Sequence, residues 1–172
     1  MKFIRKNFLA LLVMTVAVLS IVLVCFLPGV HGKGSQEKYS IHTLGLVFGN
    51  ATMHVSSKTY SASVALTGGM SVFGLASAVT LITGVILAII SIKVRNKSLD
   101  YYGIVLVIIS GICMLMLFEM GTMIKVNNIP YEYKGFVLIY GFELGAGAIV
   151  YGITTIVGGI VGIIIEENNL IR

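Results

Sequence analysis

Four long apolar runs dominate the chain, and each is long enough to cross a lipid bilayer as a helix. They extend over residues 8–27, 68–92, 101–124 and 145–165. A helix that rises about 1.5 Å per residue needs about 20 apolar residues to cross the hydrocarbon core. Glu119 is the only charged residue in these runs, so they lack the polar face that a helix of a soluble bundle exposes to water. The pattern predicts four transmembrane helices.

Between the first two runs the pattern changes to two-residue alternation, which is typical of strands. Leu44, Leu46 and Phe48 are in step before Gly49-Asn50, and Ala51, Met53 and Val55 are in step after it. A type II′ turn at Gly49-Asn50 would pair Phe48 with Ala51, Leu46 with Met53, and Leu44 with Val55. We therefore expect a β-hairpin whose six apolar side chains share one face.

Two further segments suit strands. Alternation over residues 60–66 predicts a third strand that leads into the second span. The short apolar run 135–142 also suits a strand; the alternative is an early start of the fourth span, which would place Glu143 inside the membrane. The expected fold class is a membrane all-α protein, a four-transmembrane-helix bundle with a small extracytoplasmic β-hairpin or sheet formed by the outer loops, residues 28–67 and 125–144.

The composition agrees with a single integral membrane domain over residues 1–172. Hydrophobic residues make up 57% of the chain and charged residues 11%, and the mean hydropathy is +1.00. A soluble domain has about half apolar and about one quarter charged residues. The lipid bilayer is therefore the first expected partner of this chain.

The basic residues are distributed unevenly between the two sides of the predicted spans. Residues 1–7, 93–100 and 166–172 carry seven Lys and Arg, whereas residues 28–67 and 125–144 carry five in a much longer stretch. Basic residues near span ends stay in the cytoplasm, so we expect a multi-pass plasma-membrane protein with both termini cytoplasmic. Anionic lipid headgroups account for the net charge of +5, and no nucleic-acid partner is expected. The first run exceeds the 7–15 residues, roughly, of a signal-peptide core, which favours an uncleaved anchor.

The histidines and cysteines do not form a metal or disulfide pattern. In the predicted hairpin, His42 is in step with Leu44 whereas His54 is out of step with Met53, which places the two imidazoles on opposite faces. Cys25 and Cys113 lie at different depths in their spans, too far apart for a disulfide. We expect no metal, no cofactor and no disulfide.

Glu119 is the one acidic residue inside a predicted span. A carboxylate at that depth is costly unless it faces protein or water, which makes it a candidate functional residue. Because no second charge accompanies it within the spans, structural pairing is the favoured interpretation. The alternative is a water-accessible site for ions or protons.

Pairs of small residues four positions apart mark the predicted helix contacts. Such spacing lets helix backbones approach closely in lipid. The pairs are Gly74 and Ala78, Gly84 and Ala88, Ala148 and Gly152, and Gly158 and Gly162.

No pattern of an enzyme is present: the chain has no Ser/His/Asp order and a single aspartate, Asp100. Four spans with a larger first outer loop are similar in outline to claudin-type tetraspan proteins, but the tryptophans and cysteine pair of that loop are absent. The expected function is therefore a non-catalytic interaction, scaffold or accessory subunit, whose partner is another membrane protein or a second copy. The alternative is a small oligomeric transporter or channel that uses Glu119.

Overall fold

The computed structural model describes residues 7–33, 37–48, 50–58, 61–67, 71–117 and 143–168. Its helices are α1 (Phe8–Phe26), α2 (Thr43–Phe48), α3 (Val72–Val94), α4 (Lys97–Leu115) and α5 (Ala146–Glu167). The helix α2 has six residues. The other four are long and apolar enough to cross a membrane, which confirms that each of the four apolar runs contains a long helix.

Capping residues set the helix starts and shift two of them from the predicted positions. Helix α3 begins at Val72 rather than Gly68 because the Ser71 hydroxyl accepts a hydrogen bond from the Gly74 N–H, at 2.8 Å. Helix α4 begins at Lys97 rather than Tyr101 because the Asn96 side chain accepts from the Ser98 N–H, at 3.0 Å. Helix α4 therefore begins before the predicted span and includes Lys97 and Asp100, which the sequence analysis placed in the loop before it.

A two-residue turn joins α3 to α4. Arg95 has a φ of 58°, the left-handed conformation that commonly ends a helix, and Asn96 caps the next helix. The two helices are therefore antiparallel neighbours. We call this end of the helices the turn end, and the opposite end the sheet end.

The four long helices pack around a common apolar core. Helices α1 and α4 each contact both α3 and α5. The largest buried members include Leu9, Val13, Leu81, Ile104, Val107, Met114 and Tyr151. Many other large apolar side chains remain exposed on the outside of the helices, among them Val18, Val79, Ile82, Ile153 and Val157. A lipid environment would cover such side chains without penalty.

An antiparallel five-stranded sheet lies at the end of the helices opposite the α3–α4 turn. Its strands are β1 (Pro28–Lys33), β2 (Glu37–His42), β3 (Asn50–Ser57), β4 (Ser61–Thr67) and β5 (Glu143–Leu144), in the order β4-β3-β2-β1-β5. The predicted small sheet is thus present, and so is its third strand, which became β4. The predicted strand at residues 135–142 lies outside the described residues. Glu143 belongs to β5 and not to a helix.

The predicted hairpin register is wrong. Residues Leu44 to Phe48 belong to α2, and β3 pairs with β2, so that Met53 lies opposite Ile41. Apolar residues at 44, 46 and 48 suit a strand, and apolar residues at 44, 47 and 48 suit a helix. A run of six residues contains both patterns and so does not distinguish strand from helix. The buried side chains of α2 include Thr43 and Val47, which are four positions apart and therefore share one face of a helix.

The sheet joins the helices with almost no intervening chain. Helix α1 ends at Phe26 and β1 begins at Pro28, while a single residue, Gly145, separates β5 from α5. The Gly145 N–H donates to the Gly29 carbonyl at 2.8 Å. A Cβ at Gly147 would lie 2.8 Å from the Leu27 carbonyl oxygen, so glycine is required for this close approach. The two junctions therefore lie side by side and fix the sheet against α1 and α5.

Candidate functional site

The exposed face of the sheet carries an aligned series of polar side chains that crosses all five strands. The registers place Glu143 opposite His31, His31 opposite Ser40, Ser40 opposite His54, and His54 opposite Ser63. We call these five residues the polar row. Four of them are exposed and Ser40 is half-buried.

Side-chain contacts link the members of the polar row at its two ends. His31 Nε2 lies 3.5 Å from Glu143 Oε2, and His54 Nδ1 lies 2.8 Å from the Ser63 hydroxyl. His42 stands beside the row, with its ring centroid 5.6 Å from that of His54 and nearly perpendicular to it. The face can therefore donate and accept hydrogen bonds, and His31 with Glu143 can carry charge.

The prediction that His42 and His54 point to opposite faces is wrong, because it rested on the incorrect hairpin register. With β3 paired to β2, Ser40 is the residue opposite His54, and His42 is two positions further along the same face of β2. Among the described residues no group of three or more His, Cys, Asp or Glu is placed to hold a metal ion.

A parallel series of apolar residues fixes the opposite face of the sheet. Leu144, Val30, Ile41 and Met53 follow one another across β5, β1, β2 and β3. Val30, Ile41 and Met53 are at most 3% exposed. The polar row is thus carried by a sheet whose other face is buried.

Hydroxyl groups connect three of the long helices near their sheet end. Ser77 of α3 donates to the Ser110 carbonyl of α4 at 2.9 Å, and Ser110 donates to the Ser77 carbonyl at 2.8 Å. The Tyr151 hydroxyl of α5 lies 2.5 Å from that of Ser110. Sequence reasoning missed this cluster because it examined charged residues. The signal was a hydroxyl side chain inside three of the apolar runs, namely Ser77, Ser110 and Tyr151.

The turn end holds the charged groups of α4 and α5. Lys97 Nζ lies 2.7 Å from Glu166 Oε1. Asp100 is 7% exposed, and its Oδ1 has no hydrogen-bond partner among the described residues. Sequence reasoning assigned Asp100 to a loop; the signal for the helix start was the capping residue Asn96.

The four boundaries between neighbouring long helices are α1–α3, α3–α4, α4–α5 and α5–α1. Glycines allow close contact at the last three. Gly84 meets Gly103 between α3 and α4, and Gly111 meets Gly152 between α4 and α5. Two further glycines lie between α5 and α1, where a Cβ at Gly158 would be 2.9 Å from Val16 Cγ2 and one at Gly162 would meet the Leu12 side chain. Gly103 and Gly111 were not among the predicted packing residues.

The remaining predicted packing residues lie in several surroundings. Ala88 and Ala148 are fully buried in the helical core. Gly74 faces Val47 of α2 rather than a long helix, and Ala78 lines a cavity beside α1.

The outcome for Glu119 and the two cysteines is as follows. Glu119 lies outside the described residues, so its structural or transport role stays a prediction. Cys25 is exposed, Cys113 is half-buried, and both thiols are free.

Comparison with known proteins gives no match. No protein-family model matches the chain, and neither a curated protein nor a solved structure is significantly similar to it.

Proposed function

We propose that the chain is a non-catalytic, multi-pass plasma-membrane protein that serves as an interaction or accessory subunit. Its termini and turn end lie in the cytoplasm, and its sheet lies outside. The four apolar helices support the membrane placement. The cluster of Lys93, Arg95 and Lys97 at the turn end supports the orientation, because basic residues concentrate on the cytoplasmic side.

The observation that carries the proposal is the polar row. Its five residues are aligned across every strand of a sheet whose other face is buried. A partner that lies across the strands can form hydrogen bonds with several of them at once. Complementary polar and charged groups of this kind give an interface its specificity.

The short junctions at Pro28 and Gly145 strengthen the proposal. They hold the polar row at a fixed height and angle relative to α1 and α5. A partner anchored in the same membrane would meet this surface with little loss of orientational freedom, which lowers the cost of association. The partner class is therefore another membrane protein or a second copy of the chain.

The test is photo-crosslinking in intact cells from two exposed serines at opposite ends of the molecule. A photoreactive amino acid replaces Ser63 in the polar row in one variant and Ser98 at the turn end in the other. We expect a discrete adduct with a membrane protein, or with a second copy, from position 63. Adducts from position 98 with none from position 63 would contradict the proposal.

A further inference from the structure

One boundary between neighbouring helices differs from the other three. Helix α1 contains no glycine, and the two glycines of α3, Gly74 and Gly84, face α2 and α4 respectively. The α1–α3 boundary therefore lacks the glycine contact that is present at the other three. Bulky side chains keep helix axes further apart, which leaves room between α1 and α3.

A cavity of about 330 Å³ occupies this boundary in the half nearer the sheet. Val24 and Cys25 line it from α1, and Ala78 and Leu81 line it from α3. Helix α2 covers the end towards the sheet with Phe48 among others. The volume is at the lower end of the range for ligand pockets, about 300–1,000 Å³.

The cavity opens sideways, between the helices. Several of its lining side chains are also exposed on the outside of the molecule; among them, Ile82 is 56% exposed, Phe48 is 64% exposed, and Ile21 is 49% exposed. At this depth of a spanning helix the outside is hydrocarbon. An occupant can therefore enter from the surrounding leaflet.

The polar atoms at the inner wall are already satisfied. Ser77 and Tyr151 both line the cavity, but their hydroxyls are engaged with Ser110 in the cluster that joins α3, α4 and α5. The remaining lining is apolar apart from the Cys25 thiol. Apolar cavities exclude water and accept apolar molecules.

We propose that this cavity binds an acyl chain of a membrane lipid, so that one lipid is retained between α1 and α3. An α-helix of a partner, about 10–12 Å across with its side chains, is too wide for a space of this volume, whereas a single flexible alkyl chain fits. The leaflet supplies such chains at the cavity mouth. This inference rests on the membrane placement in the proposed function.

The absence of tryptophan from the chain makes a direct test possible. One variant carries Phe48→Trp as a reporter at the cavity, and the control carries Ile153→Trp on the outer surface of α5, where Ile153 is 53% exposed and does not line the cavity. Each protein is reconstituted into phosphatidylcholine vesicles with brominated acyl chains, which quench tryptophan on contact, and is then transferred to detergent without bromine.

We expect both reporters to be quenched in the brominated vesicles. After transfer to detergent, the control should return to the intensity measured without bromine, whereas the Phe48→Trp reporter should stay quenched by the retained lipid. Addition of Ala78→Phe, which fills the cavity, should abolish the retained quenching. A monodisperse elution profile and an unchanged helical circular dichroism spectrum would show that this double variant is folded.

The outcomes separate this inference from the proposed function. Quenching of neither reporter in brominated vesicles would overturn the membrane placement itself. Loss of quenching from both reporters in detergent would overturn the retained lipid and leave the membrane placement intact. A Phe48→Trp reporter that is unquenched in vesicles, beside a quenched control, would show that protein covers the cavity and would also overturn the inference.

Discussion

Gly84 of α3 and Gly103 of α4 face each other, and the carbonyl oxygen of each lies where a Cβ atom of the other would approach. A Cβ on Gly84 would lie 2.8 Å from the Gly103 carbonyl oxygen, and a Cβ on Gly103 would lie 3.0 Å from the Gly84 carbonyl oxygen. The obstacle on each side is backbone, which cannot rotate away as a side chain can. The contact between α3 and α4 therefore depends on both glycines.

Substitution of either glycine by alanine should destabilise the protein. The added methyl group must push the two helices apart, and overpacking of this kind costs about 1–3 kcal/mol. The measurement is the unfolding midpoint in a detergent denaturation series for Gly84→Ala and Gly103→Ala. Gly158→Ala is the matched control, because its Cβ would meet Val16 Cγ2, the end of a side chain, and it should lose less. Equal losses at all three positions would contradict the backbone-contact account.

The Tyr151 hydroxyl should contribute modestly to stability. Tyr151→Phe removes the partner of the Ser110 hydroxyl but leaves the Ser110 bond to the Ser77 carbonyl. Hydrogen bonds between membrane helices contribute about 0.6 kcal/mol on average, so we expect a loss of about 0.5–1 kcal/mol. The same denaturation series measures it. Tyr102→Phe is the control, since Tyr102 is 64% exposed; an equal loss there would argue against a role for the buried cluster.

The Lys97–Glu166 ion pair should couple α4 to α5 weakly. Lys97 is 59% exposed at its side chain and the pair is 2.7 Å apart, and exposed pairs contribute about 0.2–1 kcal/mol. A double-mutant cycle with Lys97→Met and Glu166→Gln measures the coupling, which should fall as salt is added. The control cycle replaces Glu166→Gln by Glu167→Gln. It should give no coupling, because Lys97 pairs with Glu166 and Glu167 is an exposed neighbour. A coupling that does not respond to salt would count against the ion pair.

Single-cysteine labelling should distinguish the two ends of the helices. In a background with Cys25 and Cys113 replaced by alanine, an impermeant maleimide should modify Ser63→Cys on intact cells. It should modify Ser98→Cys only after permeabilisation. The reversed pattern would overturn the orientation inferred from the basic residues.

The four long helices could be predicted because apolar content and length suffice to define them, but their ends could not. Residues 68–71 are as acceptable in an apolar run as the residues after them, yet the helix begins where Ser71 can accept the Gly74 N–H. At α4 the predicted start was too late, because the charged residues Lys97 and Asp100 were assigned to the preceding loop. A lysine in the first turn is compatible with a helix once Asn96 supplies the cap.

The sheet could be predicted only in outline, because strand pairing is non-local. The alternation around Met53 identified β3 correctly, but the strand before it that pairs with it is β2, which carries Ile41, and not the predicted strand over residues 44–48. The polar row depends entirely on this register. No local pattern could therefore have brought His54 close to His42 or aligned it with Ser40.

Only Leu27 lies between the end of α1 at Phe26 and the start of β1 at Pro28, so this junction has no spare residue. The pairing of β1 with β2 already shifts by one residue between Pro28 and Val30, as in a β-bulge. One further residue would therefore have to be absorbed either by turning α1 about its axis by about 100° or by reversing which side chains of β1 face inward. The first would pull Val24 away from the helical core, and the second would exchange Val30 with His31. Natural variants of this chain should therefore not differ in length between Leu27 and Val30. Their insertions and deletions should occur in connections where an extra residue changes neither the rotation of a helix nor the inward-facing side chains of a strand.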